Sequence, residues 1–394
     1  MRVIYSLLLV VFVQQLNAQI DYTKLIIGRN TGVKTLHDGN LTNIFGFAES
    51  LGELIDIPGT TIYVNEGDSI DIDFWNVSQG APHTIHLHGL DVNQENDGVP
   101  ALSFEVHHMD HGHYKFKAPH AGTYMYHCHV VSTIHVQAGM YGVIVVRPQD
   151  GNTLQAWTGG EMYDKEIIVT SSEIDTNWHT EAVLDHEHDT VNPVPIFVPD
   201  DYIPQYFLVN GWSDGQLADP TNYYWAAENA KVYLRQINAG YYGTRYIFPA
   251  SVNARTISSD GRPLPAEYIY DTLEVYPGER YGTMLQLGSD PFYTVDVEYF
   301  NLNTGIVEST QTYTIRTSMA GLVENSHSTF NVYPVPSGTG IFHSSEEFKS
   351  NYTVHSITGS LILESDSKTI NISKQPEGVY ILHYNGEVKK LIIE

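Results

Sequence analysis

Cysteine is nearly absent from this sequence. The 394 residues include one, Cys128, so no intramolecular disulfide can form. Cations are scarce as well: 20 Lys and Arg stand against 46 Asp and Glu, for a formal charge of −26. That balance argues against nucleic acid as a partner, because phosphates need cationic groups, and against an anionic membrane surface. No apolar run approaches the roughly 20 residues of a membrane-spanning helix, and long helical periodicity is missing. What is present is 42% hydrophobic residues with 12% aromatic, enough to bury real cores, so disorder is excluded as the main state. The length suits two or three domains. The anomaly is 19 histidines.

The two ends read as export signals. Arg2 precedes an apolar run from Leu7 to Val13, and Asn17-Ala18 offers a small residue for cleavage, so residues 1–18 read as a secretory signal peptide. The alternative is an N-terminal core strand. A secretory signal places the protein outside the cytosol, secreted or at the cell surface, where a lone cysteine is a liability unless it has a job. From about Phe330 the texture changes to FNVYPVPSGTGIF, short alternating strands and EGVYILHYNGEVKKLIIE. Through Tyr333, Pro334, Pro336, Gly378, Tyr380, Lys389 and Lys390, residues 330–394 resemble the type A sorting domain of the bacterial type IX secretion system. The resemblance implies export across the outer membrane and removal of this domain. Residues 318–329 read as the linker before it.

The body reads as all β. Ile62, Val64, Ile70, Ile72 and Phe74 alternate across the turn Asn65-Glu66-Gly67-Asp68, a hairpin-like signal. Tyr114, Phe116, Tyr124 and Tyr126 alternate in the same way, and residues 142–146 (GVIVV) form a buried strand. Segments such as KEIIVTSSEI, KVYLRQINAG and FYTVDVEYF continue the style. Two β-sandwich domains fit, 21–150 and 151–317, ahead of the small sorting sandwich.

Eleven of the histidines lie between His83 and His135. Strand side chains alternate between faces. That parity puts Tyr124, Tyr126 and Cys128 on one face and Met125, His127 and His129 on the other; His86 and His88 share a face that His83 does not. Cys128 and His83 can therefore point inward, with His135 and Met140 from the next loop, while His86, His88, His127 and His129 point outward together. A trigonal His₂Cys set with a weak axial Met is the type 1 blue-copper arrangement. Zinc prefers four strong ligands and leaves Met140 unexplained.

This region resembles the cupredoxin domains of multicopper oxidases, laccases among them. HTIHLHG at His83–Gly89, DGVP at Asp97–Pro100, AGTYMYH before Cys128, and His127-Cys128-His129 followed by His135 and Met140 carry the resemblance. It implies two cupredoxin-like sandwiches and a type 1 copper on His83, Cys128, His135 and Met140. It also implies half of a type 2/type 3 copper cluster on His86, His88, His127 and His129, the catalytic set. One departure is the six residues between Cys128 and His135, two more than in laccases. The second domain, through FLVNG at Phe207–Gly211, VYLRQINAG at Val232–Gly240, SSDGRP at Ser258–Pro263 and YPGERYG at Tyr276–Gly282, resembles a copper-free middle domain. It lacks the His-x-His pair that would complete the cluster. A second copy of the first domain, a separate protein, or a simpler copper site are the ways to close that gap. His179, His186 and His188 are candidate extra ligands, against an acidic surface loop; HHMDHGH at His107–His113 suits weak copper capture or is a solvated loop.

The expectation is a secreted copper-dependent oxidoreductase. It would take electrons from a small-molecule or metal-ion reductant and pass them to oxygen, and would act as a homo-oligomer. Two rivals stand beside it. One is a type 1 copper carrier without oxidase activity. The other is a copper nitrite reductase-like enzyme, in which the position of that family's catalytic Asp is His86 here.

Overall fold

The structure is a computed structural model that describes residues 20–184, 196–317 and most of 332–393. The proposed signal peptide, the linker, His186, His188, Pro334 and Pro336 lie outside the described residues. The chain divides into two compact units, residues 1–318 and 319–394.

The first unit opens with a sandwich of two four-stranded sheets. Strands β1 (Tyr22–Thr35), β2 (Leu41–Ala48), β4 (Ser69–Asn76) and β6 (His111–Lys117) form one sheet in the order β2-β1-β4-β6. Strands β3 (Ile62–Asn65), β5 (His86–His88), β7 (Gly122–His127) and β8 (Tyr141–Arg147) form the other, in the order β3-β8-β7-β5. The alternation at Ile62–Phe74 is thus strand geometry but not a hairpin. β3 pairs with β8 and β4 with β1 and β6, so the turn at Asn65–Asp68 carries the chain from one sheet to the other. The same holds for Tyr114 on β6 and Tyr124 on β7. Period-2 patterning marks a strand with one buried face and is silent about its partner. The core between the sheets is filled by Ile26, Phe47, Phe74, Tyr114, Tyr126 and Ile144, with Cys128 and Met140 among them.

The second sandwich has a six-stranded sheet in the order Tyr206–Val209, Lys165–Ile174, Lys231–Asn238, Arg280–Gln286, Arg255–Ser259, Arg262–Ile269. Its five-stranded partner runs Tyr224–Ala226, Val307–Thr317, Phe292–Phe300, Gly243–Ile247, Thr272–Val275. The two sandwiches share an apolar seam: Leu36, Met125, Tyr141 and Val143 pack with Ile174, Leu208 and Ile237. At one point the backbones touch, since a Cβ on Gly122 would lie 2.6 Å from Gly261 Cα. The second unit is a small sandwich, with a three-stranded sheet and a four-stranded sheet around Phe342, Tyr352, Val354, Leu382 and Leu391.

One buried ion network ties the seam. Arg235, fully buried, gives its Nε–H to Glu166 (2.6 Å) and an Nη1–H to Thr123 (2.8 Å), while Arg147 holds both Glu166 oxygens at 2.7 Å. Burial pushes the Glu166 carboxyl up, but the Arg235 and Arg147 charges outweigh it and hold it below its ordinary value. Glu166→Gln leaves two guanidinium groups without their counter-charge, so it is expected to cost about 3–5 kcal/mol. Denaturant titrations of the wild-type protein and the Glu166→Gln variant check this.

Candidate metal centre

Two side-chain clusters form where β5 begins beside the end of β7. β5 pairs antiparallel with β7, setting His86 opposite His127 and Leu87 opposite Tyr126. Just beyond β7 the chain runs through Cys128 and His129 into a helical turn, α1 (Ser132–Gln137), which carries His135. The two residues beyond the laccase spacing thus lie in a segment wound into one short helix, not an extended loop.

The inner cluster is His83, Cys128 and His135, all wholly buried. Cys128 Sγ lies 3.2 Å from His135 Nδ1 and 3.6 Å from His83 Nδ1, and the two imidazole centroids are 4.7 Å apart. Backbone bonds close the loop: Cys128 N–H donates to Met140 O (3.0 Å) and Met140 N–H to His135 O (2.9 Å). Met140 is buried in the same core as Cys128, and Phe45 packs against both rings, at 6.3 Å from His83 and 5.7 Å from His135. Burial disfavours the Cys128 thiolate, but His135 and then His83 beside it outweigh that and bring the thiol down to about 5. A buried thiolate facing two imidazole nitrogens is a soft, charge-bearing donor set that fits a copper ion.

The second cluster is His86, His88 and His127, whose ligand atoms lie within 4.8 Å of one another. His129 completes the quartet, its ring 5.2 Å from His86 and 6.0 Å from His127. All four are half-buried rather than fully outward. The backbone settles which nitrogen each ring offers. His86 Nδ1–H donates to Asp97 O (2.7 Å) and His127 Nδ1–H to Cys128 O (2.9 Å), leaving Nε2 of each as the ligand atom. Burial lowers His86, brings His88 to about 4 and brings His127 to about 3; the Arg280 charge adds to the effect at His88. Burial thus favours the neutral ring at His86, His88 and His127, the form in which imidazole binds metal.

Three contributors were not foreseen. Phe45 walls the inner cluster. Asp97, inside the DGVP motif, orients His86. Arg280, inside YPGERYG, brings the second domain against the cluster: a Cβ on Gly89 would meet its Nη2, and one on Gly278 would lie 3.0 Å from His88 Cε1. His179 does not join either group. It is buried elsewhere, with Nδ1 on Asn43 O at 2.5 Å.

A β-sandwich that sets a Cys–His₂ cluster beside a histidine quartet offers donor sets suited to copper. Residues 55–151 match the multicopper oxidase family and residues 331–394 the secretion system C-terminal sorting domain, so the chain carries one of each. It is 28% identical over 232 residues to Laccase-7 of Oryza sativa subsp. japonica, covering 56% of this chain and 38% of that protein. It is 36% identical over 98 residues to the copper-containing nitrite reductase of Neisseria meningitidis, covering 24% of each chain. The matched stretches thus span well under half of these curated relatives. Among solved structures, the blue copper oxidase of Nitrosomonas europaea superposes with a TM-score of 0.57 at 24% identity, over 75% of this chain and 86% of that one. That likeness confirms the all-β fold of cupredoxin-like sandwiches. The matched family and these relatives are named as copper proteins. The sorting-domain match points to secretion, and among the described residues no helix is long and apolar enough to cross a membrane.

Proposed function

We propose that this chain is a secreted multicopper oxidase-like enzyme whose catalytic cluster is completed by a second copy of itself. When copper is bound, a type 1 ion on His83, Cys128, His135 and Met140 would take single electrons from a reductant, and ions on the histidine quartet would use them to reduce oxygen. The supporting observation is the sharing of one strand end. Cys128 of the inner cluster stands directly between His127 and His129 of the quartet, so the backbone itself joins the two.

The chain's own groups have separable tasks. Cys128 supplies the negative charge, and His83 and His135 hold its sulfur between their Nδ1 atoms. Phe45 keeps water from both rings. Asp97 and the Cys128 carbonyl each hold one Nδ1 proton, so His86 and His127 present Nε2. Burial keeps His88 neutral, with the Arg280 charge adding to the effect, and Arg280 covers its flank from the second domain. The reductant is a small molecule or a metal ion. His86 favours this reading over a nitrite reductase-like one, because an imidazole there adds a fourth ligand to the quartet.

Metal analysis of the pure chain with absorption, EPR and oxygen uptake tests the proposal. More than one copper per chain with oxygen consumption supports it. One copper with a blue band and no oxygen uptake would leave the carrier reading instead. Met140→Leu is expected to keep the copper and raise its reduction potential, since a weak thioether ligand would stabilise Cu(II) and an apolar side chain would not. A redox titration showing an unchanged or lower potential would remove Met140 from the ligand set.

A further inference from the structure

The histidine-rich segment His107–His113 lies outside both clusters and has no part in the proposed reaction. Its last residues open β6, whose exposed face carries His111, His113 and Lys115 while Gly112, Tyr114 and Phe116 point into the core. The neighbouring β4 sets Trp75 opposite His111, Asp73 opposite His113 and Asp71 opposite Lys115. The side-chain bonds run one step diagonally: His111 Nδ1–H donates to Asp73 Oδ1 at 2.6 Å, and His113 Nδ1–H to Asp71 Oδ1 at 3.0 Å. Trp75 lies flat against the His111 ring, with centroids 5.2 Å apart and planes 14° apart.

A carboxylate behind the imidazole is the second bond that metal-ligating histidines ordinarily make; it fixes the tautomer and makes the far nitrogen more basic. Here it occurs twice on one face. Both lone pairs are left on Nε2, and the side chains remain 44% and 49% exposed. Two residues along a strand place the rings about 7 Å apart at Cα, a span that two imidazoles close around one ion. We propose that His111 and His113, backed by Asp73 and Asp71, form a surface site for one divalent copper ion, separate from both clusters described above.

The chemistry selects the metal. Imidazole nitrogens with carboxylate support and no sulfur suit the borderline divalent ions, and among these Cu(II) binds most tightly. The two carboxylates offset the charge of the ion, with Lys115, 3.8 Å from Asp71, opposing one of them. Ion pairing with protonated imidazoles would by itself contribute little at this exposure. The segment is also joined to the inner cluster. Val106, just before it, exchanges two backbone bonds with His83, at 3.0 and 2.9 Å.

The test uses the full chain, saturated with copper, freed of excess and then given one further equivalent of Cu(II). Tryptophan emission and EPR are followed. The expected result is quenching that disappears in Trp75→Phe, with an axial EPR signal split by two nitrogens. His111→Ala with His113→Ala should abolish both signals, and near-UV circular dichroism should confirm the fold, because neither side chain enters the core. Asp71→Asn with Asp73→Asn should weaken binding about 10- to 100-fold. His127→Ala with His129→Ala should leave the surface signal in place. Undiminished binding in the His111/His113 variant, or loss of the signal in the His127/His129 variant, overturns the site. Tighter binding of zinc than of copper overturns the choice of metal. The test does not depend on oxidase activity, so it stands or falls apart from the proposed function.

Discussion

Cys128→Ser yields a folded protein that has lost its intense visible absorption and its electron transfer. The expected visible band arises from the bond between thiolate and copper, and this chain has no second cysteine to replace it. The thiol sits at about 5, so it is ionised at neutral pH; a serine hydroxyl at the same place stays protonated and is a poor copper ligand. Packing changes little. The replacement is nearly isosteric at a wholly buried position, and His135 Nδ1, 3.2 Å from the native sulfur, is a partner the hydroxyl can use. The cost in stability is therefore held to about 1–2 kcal/mol. Absorbance of the copper-loaded variant, circular dichroism and single-turnover reduction check the three parts separately. A variant that keeps its blue colour would end the type 1 assignment.

The second large effect is expected from His127→Ala combined with His129→Ala. The blue absorption should persist, oxygen uptake should fall to background, and the copper-loaded assembly should come apart. The inner cluster survives because His83, Cys128 and His135 keep their side chains. The brace beside them also survives, since the bond from His129 to Thr84 Oγ1 (2.9 Å) uses the backbone N–H. The quartet loses half of its ligands. Among the described residues four histidines stand on this face, and the described part of the second domain adds Arg280 there, not imidazoles. A three-copper cluster of the family's kind then needs a second face, which two copies can supply about a two-fold axis. A charge of −26 per chain opposes that meeting, so bound copper must contribute to it. Sedimentation of the loaded and stripped proteins reads the assembly directly. A loaded monomer that reduces oxygen at full rate would put the missing ligands elsewhere.

Strand parity made much of the site legible. Alternation along residues 124–129 sorted Cys128 from its two neighbours, and the structure buries Tyr124, Tyr126 and Cys128 together in the core. Parity says which face a residue takes, not what covers that face. Met125, on the quartet's side, is buried as well, because the second sandwich packs over it. Arg280 was hidden for the same reason: in the sequence it is part of a turn, and its place beside His88 exists only once the domains meet. Pairing was illegible at β3 and β4 because adjacent alternating segments look the same whether they join one sheet or two. The six-residue helix α1 was too short for a periodic signal, although its consequence, an unusual Cys128–His135 spacing, was plain.

The bond from His129 to Thr84 reaches beyond its own hydrogen. Thr84 follows His83 and stands two residues before His86, as Cys128 follows His127 and precedes His129, so each of the two chain segments carries ligands of both clusters. This bond couples the segments mechanically. A shift of either strand end therefore tends to carry ligands of both clusters with it, so their separation is held more tightly than the position of either one. Thermal motion can then change how fast a reductant arrives or leaves, but it has little purchase on the length of the path between the two centres.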